Sequence, residues 1–326
     1  MKESSRLHWI DSLKVFSIFL VILGHTKFGF HNAIFSFHMP LFMIISGFLY
    51  KRTVFRIEIK KVFYCLFIPY IIYSFFYMLP LPHGGEFKPI HILNILIGNQ
   101  EKLPPVMIPL WYIISVSMMR IAMSLRDLQT PLLIFISLIV SIIIIKFLAL
   151  QNLGNDPFQI LTTIFSFPFF LIGKYIRENK LTNLICEYNI FIVLPCLITV
   201  LIFSFVLGQA NYGHSVNLFA CHYGQNIIIF YLSSALISVC ILFLFKLLLN
   251  RRIVFIENLS NGTLLILCLH LPLIWTLGKL FGDTNVSYFI LSVIIVLLSY
   301  PLIILSNGFL PVLIGKMKKT NLQDNT

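Results

Sequence analysis

The chain has 326 residues, of which 58% are hydrophobic and only 11% charged, with a mean hydropathy of +0.92. That balance excludes an ordinary soluble domain, whose surface needs about 25% charged residues. The net charge of +12 does not point to nucleic acid, because the basic residues follow the boundaries of apolar runs rather than forming a patch of their own.

Apolar runs of about 20 residues recur along the whole chain, and a helix of that length crosses a bilayer core of roughly 30 Å. A transmembrane barrel would show short alternating segments instead. The expected fold class is therefore all-α, a polytopic transmembrane helix bundle forming one membrane-embedded domain over residues 1–326. Ten spans are predicted, near 9–30, 33–50, 62–79, 106–124, 131–149, 158–177, 188–207, 226–249, 262–281 and 286–314. The breaks carry turn formers, as in "LPLPHGGEFKP", "NLGNDP", "GQANYGH" and "FGDTN". No internal repeat, low-complexity segment or cleavable signal peptide is evident, since the first apolar run continues without a small-residue cleavage site. With the N-terminus in the cytoplasm, 19 of the 24 lysines and arginines fall on the inner side and 5 on the outer. This positive-inside bias predicts that both termini are cytoplasmic.

The first predicted span carries the most chemistry. In "RLHWIDSLKVFSIFLVILGHT" (residues 6–26), Asp11 and Lys14 lie at i, i+3 and are expected to pair. His25 follows Lys14 by 11 residues, about three turns, so both lie on one stripe roughly 16 Å apart, with Ile18 and Ile22 between them. Charged groups in a span are costly unless they face the protein interior or a watery cavity, so this stripe is expected to face inward. Histidine is the side chain best suited to proton transfer near neutral pH, which makes His25 the catalytic candidate over a merely hydrogen-bonded core residue.

The second span, 33–50, carries His38 at its outer start. After it, "KRTVFRIEIKK" spaces Arg52, Arg56 and Lys60 four apart, as three cations on one helical face flanked by Lys51 and Lys61. Such a stripe serves topology and anionic headgroups or clamps a phosphate; spacing alone does not choose. Trp111 and Tyr112, at the start of the fourth span, line a cavity or belong to an interfacial aromatic belt. The outer stretches 78–106 and 208–226 are rich in Asn, Gln, His, Tyr and Gly, which suits sugar hydroxyls as well as any external loop. His270, in "CLHLP" of the ninth span, is a weaker site candidate with a packing alternative. The six cysteines (Cys65, Cys186, Cys196, Cys221, Cys240, Cys268) lack CxxC spacing and are expected as small core residues, with neither disulfide framework nor metal site.

Several segments together resemble the acyltransferase family 3 membrane proteins, in flavour the fucose 4-O-acetylase-like branch. They are "WIDSLKVFSIFLVILGHT", "FSFHMPLFMIISGFLY", "RIEIKKVFYCLFIPYIIYSFFY", "PLWYIISVSMMR", "FPFFLIGKYI" and "NLSNGTLLILCLHLPLIW", in that order, from about residue 6 to residue 310. The GHT and FHMPLF-x-x-SGF pair is the most specific part. The resemblance implies an O-acetyltransferase of the bacterial cytoplasmic (inner) membrane. Such a protein moves acetyl from cytoplasmic acetyl-CoA to a hydroxyl of a cell-envelope polysaccharide or lipid-linked sugar. It also implies His25 as catalytic residue, as general base or transiently acylated. Lys14, Arg52, Arg56, Lys60 and Lys61 would hold the CoA phosphates, with Asp11, His38, Ser46, Trp111 and His270 in orienting or acceptor-side roles. Expected partners are acyl-CoA, the glycan and membrane lipids, with no metal and no nucleic acid. Two departures stand out: Lys14 replaces a frequent arginine, and Arg52-x-x-x-Arg56 replaces a frequent R-x-x-R pair. Some members add a soluble hydrolase-like domain; here transfer is expected within the bundle or with a partner. The competing class is a polytopic transporter or flippase of a lipid-linked glycan, against which stands the lack of an inverted repeat.

Overall fold

In the computed structural model, residues 6–79, 88–125, 129–149, 156–211 and 216–317 are described. The helices are α1 (His8–Gly24), α2 (His31–Leu49), α3 (Phe55–Val62), α4 (Ile68–Phe76), α5 (Pro89–Leu96), α6 (Trp111–Leu125) and α7 (Thr130–Ala149). They continue with α8 (Ile160–Glu178), α9 (Leu181–Leu184), α10 (Ile190–Ala210), α11 (Ile227–Leu248), α12 (Val254–Asn261), α13 (Thr263–Leu277) and α14 (Asn285–Phe309). A two-residue antiparallel ribbon, β1 (Val216–Asn217) and β2 (His222–Tyr223), lies between α10 and α11.

Among the described residues, nine helices are long and apolar enough to cross a membrane. α1, with 17 residues, stands at the short end of the crossing range. The predicted third span begins earlier than expected. α3 and α4 join through one π-helical turn, Phe63–Phe67, into a continuous helix from Phe55 to Phe76. The predicted last span stops at Phe309, before a 3-10 turn over Pro311–Ile314. The breaks "LPLPHGGEFKP" and "NLGNDP" lie mostly outside the described residues, as do the last three residues of "GQANYGH" and Arg126, Lys318 and Lys319.

α1, α2, α8, α11 and α13 form the interior. Leu13, Ile18, Val21 and Ile22 of α1 are fully buried, so the Lys14–His25 stripe faces inward as expected. α2 and α8 meet backbone to backbone. A side chain at Gly47 would collide with the Phe170 carbonyl, and one at Gly173 with the Ile44 carbonyl. Within a bilayer there is little hydrophobic force between helices, so close approach at small residues supplies the attraction. Arg177 of α8 then donates to the Phe48 carbonyl at 2.8 Å, satisfying the end of α2.

Prolines break the helical ladders at two places that matter for the site. Pro40 frees the Ser36 carbonyl, which accepts from the Ser234 hydroxyl of α11 at 2.6 Å. Pro272 frees the Cys268 carbonyl, which accepts from the Tyr77 hydroxyl just after α4. In a bilayer such carbonyls need a protein partner, and hydroxyls on neighbouring helices provide it.

All six cysteines are free, which agrees with the absence of a predicted disulfide framework. Their expected core placement is corrected. Cys240 and Cys268 are buried, Cys65 and Cys221 half-buried, and Cys186 and Cys196 exposed. An apolar run reports membrane depth; it does not distinguish a lipid-facing side from a protein-facing one. The Gly173→Leu variant is expected to lose about 1–3 kcal/mol or more by forcing α8 off α2. Thermal unfolding of purified protein in detergent, compared with Gly308→Leu at an open position, checks it.

Candidate active site

The site is best built from the N-terminal end of α1. Asp11 is buried, and a buried carboxylate must be paired. Its partner is Arg6. Arg6 Nε donates to Oδ2 at 2.6 Å and Nη2 to Oδ1 at 3.0 Å, the two-pronged geometry that suits a guanidinium. This hydrogen bond holds the Arg6 guanidinium above its ordinary value. The Ser260 hydroxyl adds a third donor to Asp11 at 2.6 Å. The expected Asp11–Lys14 pair therefore does not form. Arg6 outcompetes Lys14, whose Nζ donates instead to the Ser260 carbonyl at 2.6 Å. His8, Asp11 and Glu257 are close enough to hold a metal, but Arg6 and Arg252 already pair with these carboxylates, Arg252 Nε at 3.3 Å from Glu257.

Lys14 lines a cavity of about 270 Å³ between α1, α2, α6 and α13. Its polar wall is Lys14, Ser46, Tyr112, Arg120 and Asn261. Ser46 and Tyr112 share a hydroxyl–hydroxyl bond of 2.6 Å. Arg120 is held by Glu58, which is fully buried. Nε and Nη2 both lie 2.7 Å from Oε1, while Thr53 donates to Oε2 at 2.6 Å. Cys65 and Leu66, in the π-helical turn, and Ile314 and Gly315, after α14, complete the wall at this end. Gly315 takes φ +70°, and a side chain there would press on the Cys65 carbonyl, so the glycine lets the C-terminal turn seat against the π-helical turn.

The second cavity, of about 40 Å³, lies at the C-terminal end of α1 and is lined by His25, His38 and Trp111 among others. His25 caps α1, half-buried, with its ring 5.0 Å from that of His270 and 5.3 Å from Phe35, centroid to centroid. His38 is buried two turns into α2, deeper than the helix start expected for it, and its Nδ1 lies 2.8 Å from the Ile34 carbonyl. His270 is fully buried, with Nδ1 2.7 Å from the Leu267 carbonyl. A carbonyl only accepts, so both Nδ1 atoms carry the proton and each neutral ring keeps a lone pair on Nε2. The Nε2 of His270 has no hydrogen-bond partner. Each of these histidines stands two residues before the helix-breaking proline of its helix, Pro40 or Pro272.

The ribbon β1–β2 covers this cavity. Asn217, Leu218 and Phe219 form part of its wall, and the Phe219 ring lies 6.1 Å from Trp111. Asn211 anchors the ribbon, donating to the Tyr223 carbonyl at 2.6 Å and accepting from the Asn226 amide at 2.7 Å. This is the described part of the polar stretch 208–226.

Lys14 and Ser46 thus share one cavity, and His25, His38 and Trp111 share the other. His270 stands behind His25 rather than on the wall. The predicted stripe Arg52–Arg56–Lys60 does not form. Arg52 precedes the helix, which starts at Phe55, and only Arg56 and Lys60 share a helical face. Arg52, Arg56 and Lys60 are exposed, Lys61 is half-buried, and none lines the Lys14 cavity. Arg120 was the residue missed. Its signal was a lone cation inside an apolar run, which is costly without a purpose.

The family model described as an acyltransferase domain, acyltransferase 3, matches residues 7–305. The chain belongs to the acyltransferase 3 family. No curated protein and no solved structure matches it. As a member with nine membrane-length apolar helices among its described residues, it is a multi-pass membrane acyltransferase.

For this acyltransferase 3 protein, Arg120→Ala is expected to strand the Glu58 carboxylate and cost about 3–5 kcal/mol of stability. Adding Glu58→Gln should return part of that loss. Unfolding midpoints of the two single variants, the double variant and the parent test the coupling, and an additive cycle would contradict it.

Proposed function

We propose that the protein transfers an acetyl group from acetyl-CoA to a hydroxyl of a cell-envelope glycan or lipid-linked sugar, with His25 as general base. The observation that carries this reading is the joint placement of Lys14 and His25. They lie on one face of α1 and line two cavities, one with cations in its wall and one with imidazoles.

The 19 to 5 distribution of basic residues supports an orientation with the Lys14 end in the cytoplasm of a bacterial inner membrane. CoA then approaches from that side. A cavity of about 270 Å³ falls just below the roughly 300–1,000 Å³ that encloses a drug-sized ligand. It suits the pantetheine arm, with the nucleotide left at the mouth. Lys14 and Arg120 are the cations nearest the arm, and Arg52, Arg56, Lys60 and Lys61 are left to the phosphates and to lipid headgroups outside.

The acceptor comes from the other end, under the β1–β2 ribbon, where Trp111, Asn217 and Phe219 offer stacking and hydrogen bonds to a sugar. His25 takes the hydroxyl proton as the oxygen attacks the thioester carbonyl. The C–S bond breaks, and the departing thiolate takes the proton back from His25. His270 orients the base. In this mechanism its unpartnered Nε2, on a ring 5.0 Å from that of His25, accepts the other N–H of His25, which keeps the free nitrogen of His25 toward the cavity and steadies the imidazolium that forms. The Asp11 carboxylate lies about four turns away and takes no part in this step.

Purified protein given radiolabelled acetyl-CoA and a hydroxyl acceptor is expected to label the acceptor. His25→Ala should lower that rate about 10²–10⁴-fold. Lys14→Ala should raise KM for acetyl-CoA more than it lowers kcat. Label retained on the protein in the absence of acceptor would replace the direct route by an acetyl-His25 intermediate. Parent-level transfer by His25→Ala would end the proposal.

A further inference from the structure

We propose that Met39 and Leu267 form a constriction between the two cavities, and that they and the small chamber beyond them set the length of acyl group transferred. This rests on the acyl-transfer reading and adds to it the residues that select the donor.

Met39 and Leu267 are the two residues that line both cavities. Both are buried, at 7% and 5% exposure, so their side chains stand between the chambers rather than at an opening. Each is tied to the imidazole cluster by covalent neighbourhood or hydrogen bond. Met39 lies between His38 and Pro40 of α2, and the Leu267 carbonyl accepts from Nδ1 of His270. A group that passes between these side chains from the Lys14 cavity arrives against His25.

The volumes decide what passes. A cavity needs about 10–15 Å³ to admit one water. The His25 chamber, at about 40 Å³, therefore accepts about three heavy atoms, the size of an acetyl group. The Lys14 cavity, at about 270 Å³, is several times larger and does not discriminate by chain length. Val21, Phe35 and Ile108 give the chamber an apolar part of its wall, which suits an alkyl chain. Methionine has three rotatable bonds and a polarizable sulfur, so Met39 can swing aside for a short acyl group and close behind it. Leucine at 267 is the stiffer half.

The test is a donor series, acetyl-, butyryl- and hexanoyl-CoA, with the purified parent, Met39→Ala and Leu267→Ala, each rate divided by the same variant's acetyl rate. The parent is expected to lose roughly tenfold or more at each lengthening, in line with methylene discrimination by apolar pockets. Met39→Ala and Leu267→Ala are expected to raise the hexanoyl to acetyl ratio at least about tenfold. Leu267→Phe should move the butyryl to acetyl ratio the other way, so the test does not rest on cavity-forming variants alone. The ratio is internal to each preparation, so partial loss of folded protein does not imitate the effect. An unchanged chain-length profile in a parent and variants that all transfer acetyl would overturn the constriction and leave the acyltransferase reading standing. A parent that transfers no acyl group from any CoA would overturn both.

Discussion

The structure depends first on the neutralisation of one buried carboxylate. Asp11 sits inside the bundle, and an unpaired charge there costs several kcal/mol. Arg6 and Ser260 remove that cost, and in doing so they fasten the start of α1 to α12 and to the turn before α13. Arg6 also donates to the Glu257 carbonyl, so the same guanidinium spans both elements. With Asp11 taken, Lys14 is left to the Ser260 carbonyl and to the cavity. The pitch of a rigid helix does the rest. Fastened at Asp11, α1 delivers His25 about four turns further on, against α2 and α13.

At that second level the helices converge through deliberate defects. α2 and α13 each carry a His-x-Pro element, and each proline removes one rung of the backbone ladder beside its histidine. Ser234 and Tyr77 satisfy the carbonyls so released, which ties α11 and the end of α4 to the same region. Hydroxyls on otherwise apolar helices thus act as structural partners for broken backbone, and the imidazoles gain positions that an unbroken helix would not give them. The glycine contact of α2 with α8 holds this arrangement from behind, where the two backbones meet at Gly47 and Gly173.

Membrane crossing was readable from the sequence because it depends on length and apolarity, both one-dimensional. Which side of a span faces protein was not. α10 is as apolar as any helix, yet nearly all of it faces outward, and Cys196 goes with it. The Lys14–His25 stripe was legible because a single straight helix carries it. The Arg52–Arg56–Lys60 stripe failed because helical spacing was extended across Thr53 and Val54, which are not helical. The Asp11–Lys14 pair failed because the competitor, Arg6, lies before the helix and outside the i, i+3 rule. The nearness of His270 to His25 comes from tertiary packing of the first helix on the thirteenth, and no spacing in the sequence encodes it.

The chemical consequence lies in what stands next to His25. In many hydrolytic sites a carboxylate orients the histidine and shares its charge. Here the one acid on the same helix is committed to Arg6 at the far end, and the neighbour of His25 is an imidazole whose tautomer is fixed by a backbone carbonyl. A neutral imidazole stands beside His25 without importing a second charge into a membrane-depth cavity, where an unmatched charge is most expensive. The His270 ring is tied to the Leu267 carbonyl, and so to a residue that lines both cavities. In the proposed mechanism, the residue at the constriction and the residue that aims the base are therefore held by one hydrogen bond. Under that proposal, displacement of the constriction by a bulky acyl group would disturb the aim of His25 at the same time.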